Sequence, residues 1–173
     1  MESATISRTR RPPCWPTGTG IARTKLSGTT AVLQPWLFPL AAPDLVENGK
    51  RRYPIHLGMV GSQTDMYRIR LARNLLLSGL PPTAHFVLAG PGTASGQPPY
   101  ASYSSQIRLD STAQGPVLRV QRTLTINAFR VPAGEFAAVQ QFWRRVRRVE
   151  DRLIFGQLVP AAASAQTAPA PGG

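Results

Sequence analysis

The chain has 173 residues, a formal net charge of +12, 17 prolines, 15 glycines and a single cysteine. That length suits one modest domain with ragged ends, and so much proline and glycine favours loops and short strands over a helical bundle. Eighteen of the 20 basic residues are arginine and they are spread along the chain, which gives a diffuse cationic surface instead of one concentrated tract.

Residues 1–32 are rich in Thr, Arg, Pro and Gly without periodicity, and read as a disordered N-terminal segment. A β-sandwich-like domain is expected over 33–156. "LQPWLFPLAAPDL" is an apolar, proline-punctuated lead-in. "RYPIHLGMV" at 52–60 has the look of a first strand, with its proline at the strand start. "TDMYRIRLA" at 64–72 alternates, with Tyr67, Ile69 and Leu71 on one face and Met66, Arg68 and Arg70 on the other. The intervening "GSQ" reads as a hairpin turn.

A short strand follows around 84–89, then the loop "GPGTASGQPP". "YASYSSQIRL" places Tyr103, Ser105, Ile107 and Leu109 on one face. After the turn "DSTAQGP", the strand "VLRVQRTLTINAF" places Leu118, Val120, Leu124 and Ile126 on one face together with Arg122. Arg119, Gln121, Thr123 and Thr125 lie opposite. An arginine among apolar neighbours is expected to pair with a carboxylate or to reach the sheet rim.

The period then changes. Over about 132–152, Phe136, Val139, Phe142, Trp143, Val146 and Val149 recur at steps of three and four, the stripe of an amphipathic helix. Pro132 suits its first turn, and Glu135 sits at the positive end of the helix dipole. Arg144, Arg145, Arg147 and Arg148 fall off the stripe, and Arg147 and Asp151 are spaced for an i,i+4 pair. Residues 157–173 form an Ala/Pro/Gly tail expected to be disordered. The fold class is therefore mainly β: an antiparallel β-sandwich-like domain with one C-terminal amphipathic helix and disordered termini.

The chemistry-bearing residues are few. Cys14 with His56 or His85 and an aspartate could in principle form a nucleophilic set, but Cys14 lies in a proline-rich stretch and the histidines belong to different strands. One cysteine excludes an internal disulfide and a cysteine-based zinc site, and two histidines make a poor metal site. "GPGTASGQPP" lacks the Lys-Ser/Thr of a phosphate-binding loop. No catalytic, cofactor-binding or metal residue is expected. Arg144, Arg145, Arg147 and Arg148 are the residues that could contact an anion, against the simpler reading of a solvated helix face. No apolar run suits a membrane span or a signal peptide, so the chain as written is expected in the cytoplasm.

Two longer stretches carry a family resemblance. "LFPLAAPDLVENGKRRYPIHLGMVGSQTDMYRIRLARNLLLSGLPPT" resembles the opening of the β-rich C-terminal domain of bacterial transglutaminase-like proteins. The points of similarity are Phe38 and Pro39, Arg51 to Ile55, the strand Tyr67 to Leu71, and Leu80 with Pro81. "YSSQIRLDSTAQGPVLRVQRTLTINAFRVPAGEFAAVQQFWRRVRRVEDRLIFG" is similar to the family's terminal hairpin and helix, with Arg122 at the hairpin arginine and Phe136 and Phe142 at the helix aromatics. The resemblance covers about 33–157. It implies an accessory domain next to a papain-like Cys…His…Asp core for which this chain has no room, hence a fragment or truncated relative. Intact members of the family are exported. The expected function is a non-catalytic accessory domain that packs against such a core, in the same chain or another, through apolar surface near Trp36 to Leu40. The alternative is a small basic protein that binds nucleic acid or another anionic surface through its arginine-rich helix.

Overall fold

The computed structural model describes residues 30–36, 40 and 53–159, together with the strand backbones of 6–8 and 24–27. In chain order the strands are β1 (Ile6–Arg8), β2 (Thr24–Ser27), β3 (Thr30–Leu33), β4 (Ile55–His56), β5 (Gly61–Arg70), β6 (Leu75–Ser78), β7 (Ala84–Leu88), β8 (Ala101–Thr112), β9 (Gly115–Ile126), β10 (Arg130–Val131) and β11 (Ile154–Leu158). One helix, α1 (Phe136–Glu150), follows a short 3-10 turn at Ala133–Glu135.

The alternation read from the sequence sets the main sheet. Its order is β1-β5-β9-β8-β7, antiparallel throughout. The two 12-residue strands β8 and β9 meet in a tight turn at Ala113-Gln114, and Gly115 takes φ +119, a left-handed value that suits glycine. Tyr67 and Ile69 of β5, Tyr103 and Ile107 of β8, and Leu118 and Val120 of β9 are buried on one shared face. Leu109 shares that face but is 42% exposed. Strand β7 pairs only as far as Ser105, so the second half of β8 is an open edge that leaves Leu109 uncovered.

Two layers cover this face side by side. At one end α1 lays Val139, Phe142, Trp143 and Val146 onto Leu88, Tyr103, Leu124 and Ile126. At the other, a four-stranded antiparallel sheet in the order β2-β3-β11-β6 contributes Leu33 and Ile154, joined by Trp36, against Tyr67, Ile69, Ile107, Leu118 and Val120. The protein is thus a sandwich at one end and helix-on-sheet at the other. A short ladder, β4 with β10, closes the helix end.

The structure differs from the sequence reading in four places. Regular pairing begins before residue 33: β3 buries Ala31 and Leu33, and β1 pairs with β5, so the segment 1–32 is not uniformly without structure. The expected hairpin between 52–60 and 64–72 does not form. "GSQ" opens β5 opposite Ile126, Thr125 and Leu124, while Ile55–His56 pairs with Arg130–Val131. The length of β9 draws Gly61 to Gln63 into the sheet, and Gly58 at φ +109 turns the preceding segment away. Leu75–Ser78 is a strand, β6, where the sequence reading placed no element. Finally, residues assigned to the end of the domain and the start of the tail form β11, the interior strand between β3 and β6. There Gly156 is buried, and a Cβ on it would lie 3.0 Å from both Leu75 Cδ1 and the Leu76 carbonyl oxygen. Only glycine fits that close approach without a shift, and its lack of a side chain hid the strand's apolar rhythm. Residues 160–173 lie outside the described residues.

Candidate anion-binding face and buried charge cluster

Two groupings of charged side chains emerge from the register. The first is buried. Asp65 of β5 and Arg122 of β9 are direct cross-strand partners on the inner face. Arg122 donates from Nε and Nη2 to Asp65 Oδ2 at 3.0 and 2.9 Å, and from Nη1 to Glu150 Oε1 at 2.7 Å. Glu150 is the last residue of α1. It also accepts from the Leu40 backbone N–H at 3.3 Å and from the Tyr103 hydroxyl at 3.4 Å. The Trp36 ring lies 5.4 Å from Arg122 Cζ. The cluster thus sits at the seam between the two covering layers, and ties β5, β9, α1 and the lead-in together.

Burial disfavours the charged form of Glu150 and raises its pKa, an effect that Arg122 partly offsets. Burial also raises Tyr103 well above the usual phenol range, with the neighbouring Glu150 charge adding to it. Arg122 stays a cation, since its two carboxylate partners more than offset the desolvation. The side chains of Asp65, Arg122 and Glu150 are 1%, 1% and 9% exposed. The two carboxylates are therefore committed to Arg122 and closed to a substrate. Glu150 thus points inward, while Arg147 and Arg148 beside it are exposed.

The second grouping lies on the opposite, open face of the main sheet. Strand register aligns Arg68 of β5, Arg119 of β9 and Arg108 of β8 in one row, each directly opposite the next. All three are exposed, and Arg70 stands one step further along β5. Arg119 forms an ion pair with Asp110, the carboxylate on this part of the face. Arg68, Arg70 and Arg108 have no carboxylate partner among the described residues. Like charges directly opposite each other in a sheet are destabilising. Three arginines in one row are thus an arrangement that packing alone does not favour.

Arg144, Arg145, Arg147 and Arg148 are all exposed on the outer side of α1. Phe142 and Trp143 are buried and meet edge to face with centroids 5.4 Å apart, so neither ring is open to a base. Arg145 borders a shallow cleft of about 220 Å³ between the helix and β7, shared with Phe86, Leu88 and Glu135. The Arg147–Asp151 ion pair does not form. Asp151 is already the C-cap, where its backbone N–H donates to the Arg147 carbonyl at 2.8 Å. Trp36, expected to offer contact surface, is instead 3% exposed beneath the small sheet.

Cys14 lies outside the described residues. His56 stacks edge-on against Phe129 at 4.8 Å, whereas His85 stands on the outer face of β7, so the structure places the two in unrelated settings. Among the described residues, no three His, Cys, Asp or Glu side chains gather to hold a metal ion, and no helix is long and apolar enough to cross a membrane. In "GPGTASGQPP" a 3-10 turn at Thr93–Ser95 is closed by Gly96, and the Gly90 N–H donates to Thr93 Oγ1 at 2.7 Å.

Compared with family models, curated proteins and solved structures, the chain matches none. The sequence reading had put Arg68, Arg70 and Arg119 on outward faces, and the alternation of β8 put Arg108 outward as well. Their alignment in one row depends on register, which the sequence did not show.

Proposed function

We propose that this chain is a non-catalytic binding module whose open sheet face takes an anionic polymer. The observation that carries the reading is the row Arg68–Arg119–Arg108, a cross-strand run of cations exposed on a flat surface. Guanidinium groups pair with carboxylate, sulfate or phosphate through two parallel N–H donors, and a row of them offers several such contacts along one line. The net charge of +12 adds long-range attraction. The non-catalytic part of the proposal is supported by the buried cluster, which spends its two carboxylates on Arg122.

Binding of inorganic polyphosphate at graded salt tests this reading. The charge-only probe should bind the native chain. Affinity should fall in an Arg68→Gln/Arg108→Gln variant, with the slope of log affinity against log salt shallower by about one per arginine removed. A loss confined to an Arg144→Gln/Arg145→Gln/Arg147→Gln/Arg148→Gln variant would move the site to the helix and refute the sheet face.

A second reading has its own observation. Leu76 and Phe155, 62% and 50% exposed, stand on the outer face of the small sheet. Isolated apolar side chains need no explanation, but neighbouring ones suit a covering partner. By the resemblance described above, the partner would be a transglutaminase-like catalytic core. A purified core of that type added in trans should slow amide exchange in β6 and β11; unchanged exchange rejects this reading.

A further inference from the structure

Resting on the proposed role of the sheet face, we infer that its ligand is a linear acidic polysaccharide, whose carboxylates meet the arginine row while its hydroxyls meet the glutamine row beside it. The neighbours of the arginines carry this inference. One row further along the strands, about 7 Å away, Gln121 and Gln106 stand opposite each other next to Met66. The next row is Thr64, Thr123 and Ser104, continued by His85 of β7, and the one after it Ser62, Thr125 and Ser102, continued by Val87. Cross-strand hydroxyl contacts at 3.1 Å join Ser62 to Thr125 and Thr64 to Thr123.

A sugar ring presents hydroxyls that both donate and accept. Glutamine amides, serine and threonine do the same, so they match sugars in a way that a row of cations cannot. Phosphate oxygens only accept, and the polar rows would add less to them. Adjacent strands are about 4.8 Å apart. Since Arg119 is partly neutralised by Asp110, Arg68 and Arg108, the arginines of the row without a carboxylate partner among the described residues, stand about 10 Å apart across three strands. That spacing suits acidic groups repeated along a chain that crosses the strands.

The same face is poorly suited to the other polyanions. No Phe, Tyr or Trp occupies an outward position of β5, β7, β8 or β9, and His85 of β7 is the one ring on this face among the described residues, a small platform for unstacked bases. The face is a five-stranded sheet, broader than the two-stranded ribbon that a major groove admits. Among the described residues, Met66 and Val87 are the large apolar side chains exposed beside these rows, too little for insertion among lipid tails.

Calorimetric titration with oligogalacturonate, with polyphosphate and with a single-stranded oligodeoxynucleotide of matched charge tests the inference. Oligogalacturonate should bind most tightly per charge. A Gln106→Ala/Gln121→Ala variant removes two amides from the surface and should weaken that binding about ten-fold while leaving polyphosphate within two-fold. A Thr64→Ala/Thr123→Ala variant alters the next row, about 14 Å from the arginines and beyond one chain lying along them, and should leave every affinity unchanged. Equal affinity per charge for the three probes, or oligogalacturonate affinity that the Gln106→Ala/Gln121→Ala variant does not change, overturns the polysaccharide assignment and leaves the polyanion reading standing. If the Arg68→Gln/Arg108→Gln variant binds every probe as well as the native chain, the polyanion reading itself fails.

Discussion

Replacing Arg122 with methionine keeps much of the side-chain volume and removes the cation that bridges Asp65 and Glu150. Both carboxylates would remain inside, at side-chain exposures of 1% and 9%. Removing one partner of a buried ion pair costs about 3–5 kcal/mol, because the charge left behind is not solvated. Arg122 bridges two carboxylates while Asp65 keeps the Gln63 amide donor at 3.1 Å, so the cost should fall within that range, against a total stability of roughly 5–15 kcal/mol for an ordinary domain. Glu150→Gln is the control. It leaves Arg122 neutralised by Asp65 and keeps an acceptor for the Leu40 N–H, so its cost should stay under about 1.5 kcal/mol, the scale of one hydrogen bond. Urea titration followed by tryptophan fluorescence reads both, since Trp36 packs against Arg122.

The pH dependence supplies a second signature. Burial raises the pKa of Glu150 in the fold, so its neutral form is the one the fold prefers. Its contribution is complete below the unfolded glutamate pKa and is lost as pH rises through the folded value. The native chain should therefore gain stability over Glu150→Gln as pH falls from neutral into the acid range. Without Arg122 the carboxyls lose the charge that favours their ionised forms. The deficit of Arg122→Met should thus shrink on acidification as they protonate. A loss below about 1 kcal/mol at neutral pH, or a deficit that does not shrink in acid, would refute the account of the cluster as a compensated buried charge.

Other expected outcomes concern the two sheets and the helix. Gly156→Ala places a methyl 3.0 Å from the Leu76 carbonyl and from Leu75, and should cost about 1–3 kcal/mol in thermal or urea melts, as overpacking does. Phe142→Ala empties a site beneath α1 and should cost about 3–5 kcal/mol. Arg68→Thr relieves a like-charge contact with Arg119 and adds a β-branched residue. It should stabilise the fold by a few tenths of a kcal/mol while weakening polyphosphate binding, so that stability and affinity move in opposite directions.

What could be read in advance depended on how local the signal was. The phases of β5, β8 and β9 and the stripe of α1 are written in residues two or three to four apart, and the buried faces follow them closely. The strands that were missed carry weak local signals. In β11 a glycine occupies a buried position, β6 is a short leucine run, and β3 adjoins a proline-rich stretch. Each becomes a strand because a neighbour at long sequence separation completes its hydrogen bonds. The arginine face was half legible: alternation sent Arg68, Arg108 and Arg119 to one side of the sheet, but nothing local aligned them. Arg122 was recognisable as out of place, and pairing with a carboxylate was one of its two expected outcomes. That the partners are Asp65 and Glu150, 57 and 28 residues away, was not readable from spacing.

The sequence alone thus determined the class of the protein, a β-rich domain with one amphipathic helix, because periodicity and turn chemistry are properties of a few consecutive residues. The tertiary structure decided which charges meet. A strand's alternation sets the side of the sheet on which each arginine stands, but only register sets which arginines stand opposite one another. Register follows from the burial of whole faces at once. The same step that buried Tyr67, Val120 and Ile107 together placed Asp65 against Arg122 inside and lined up Arg68, Arg119 and Arg108 outside.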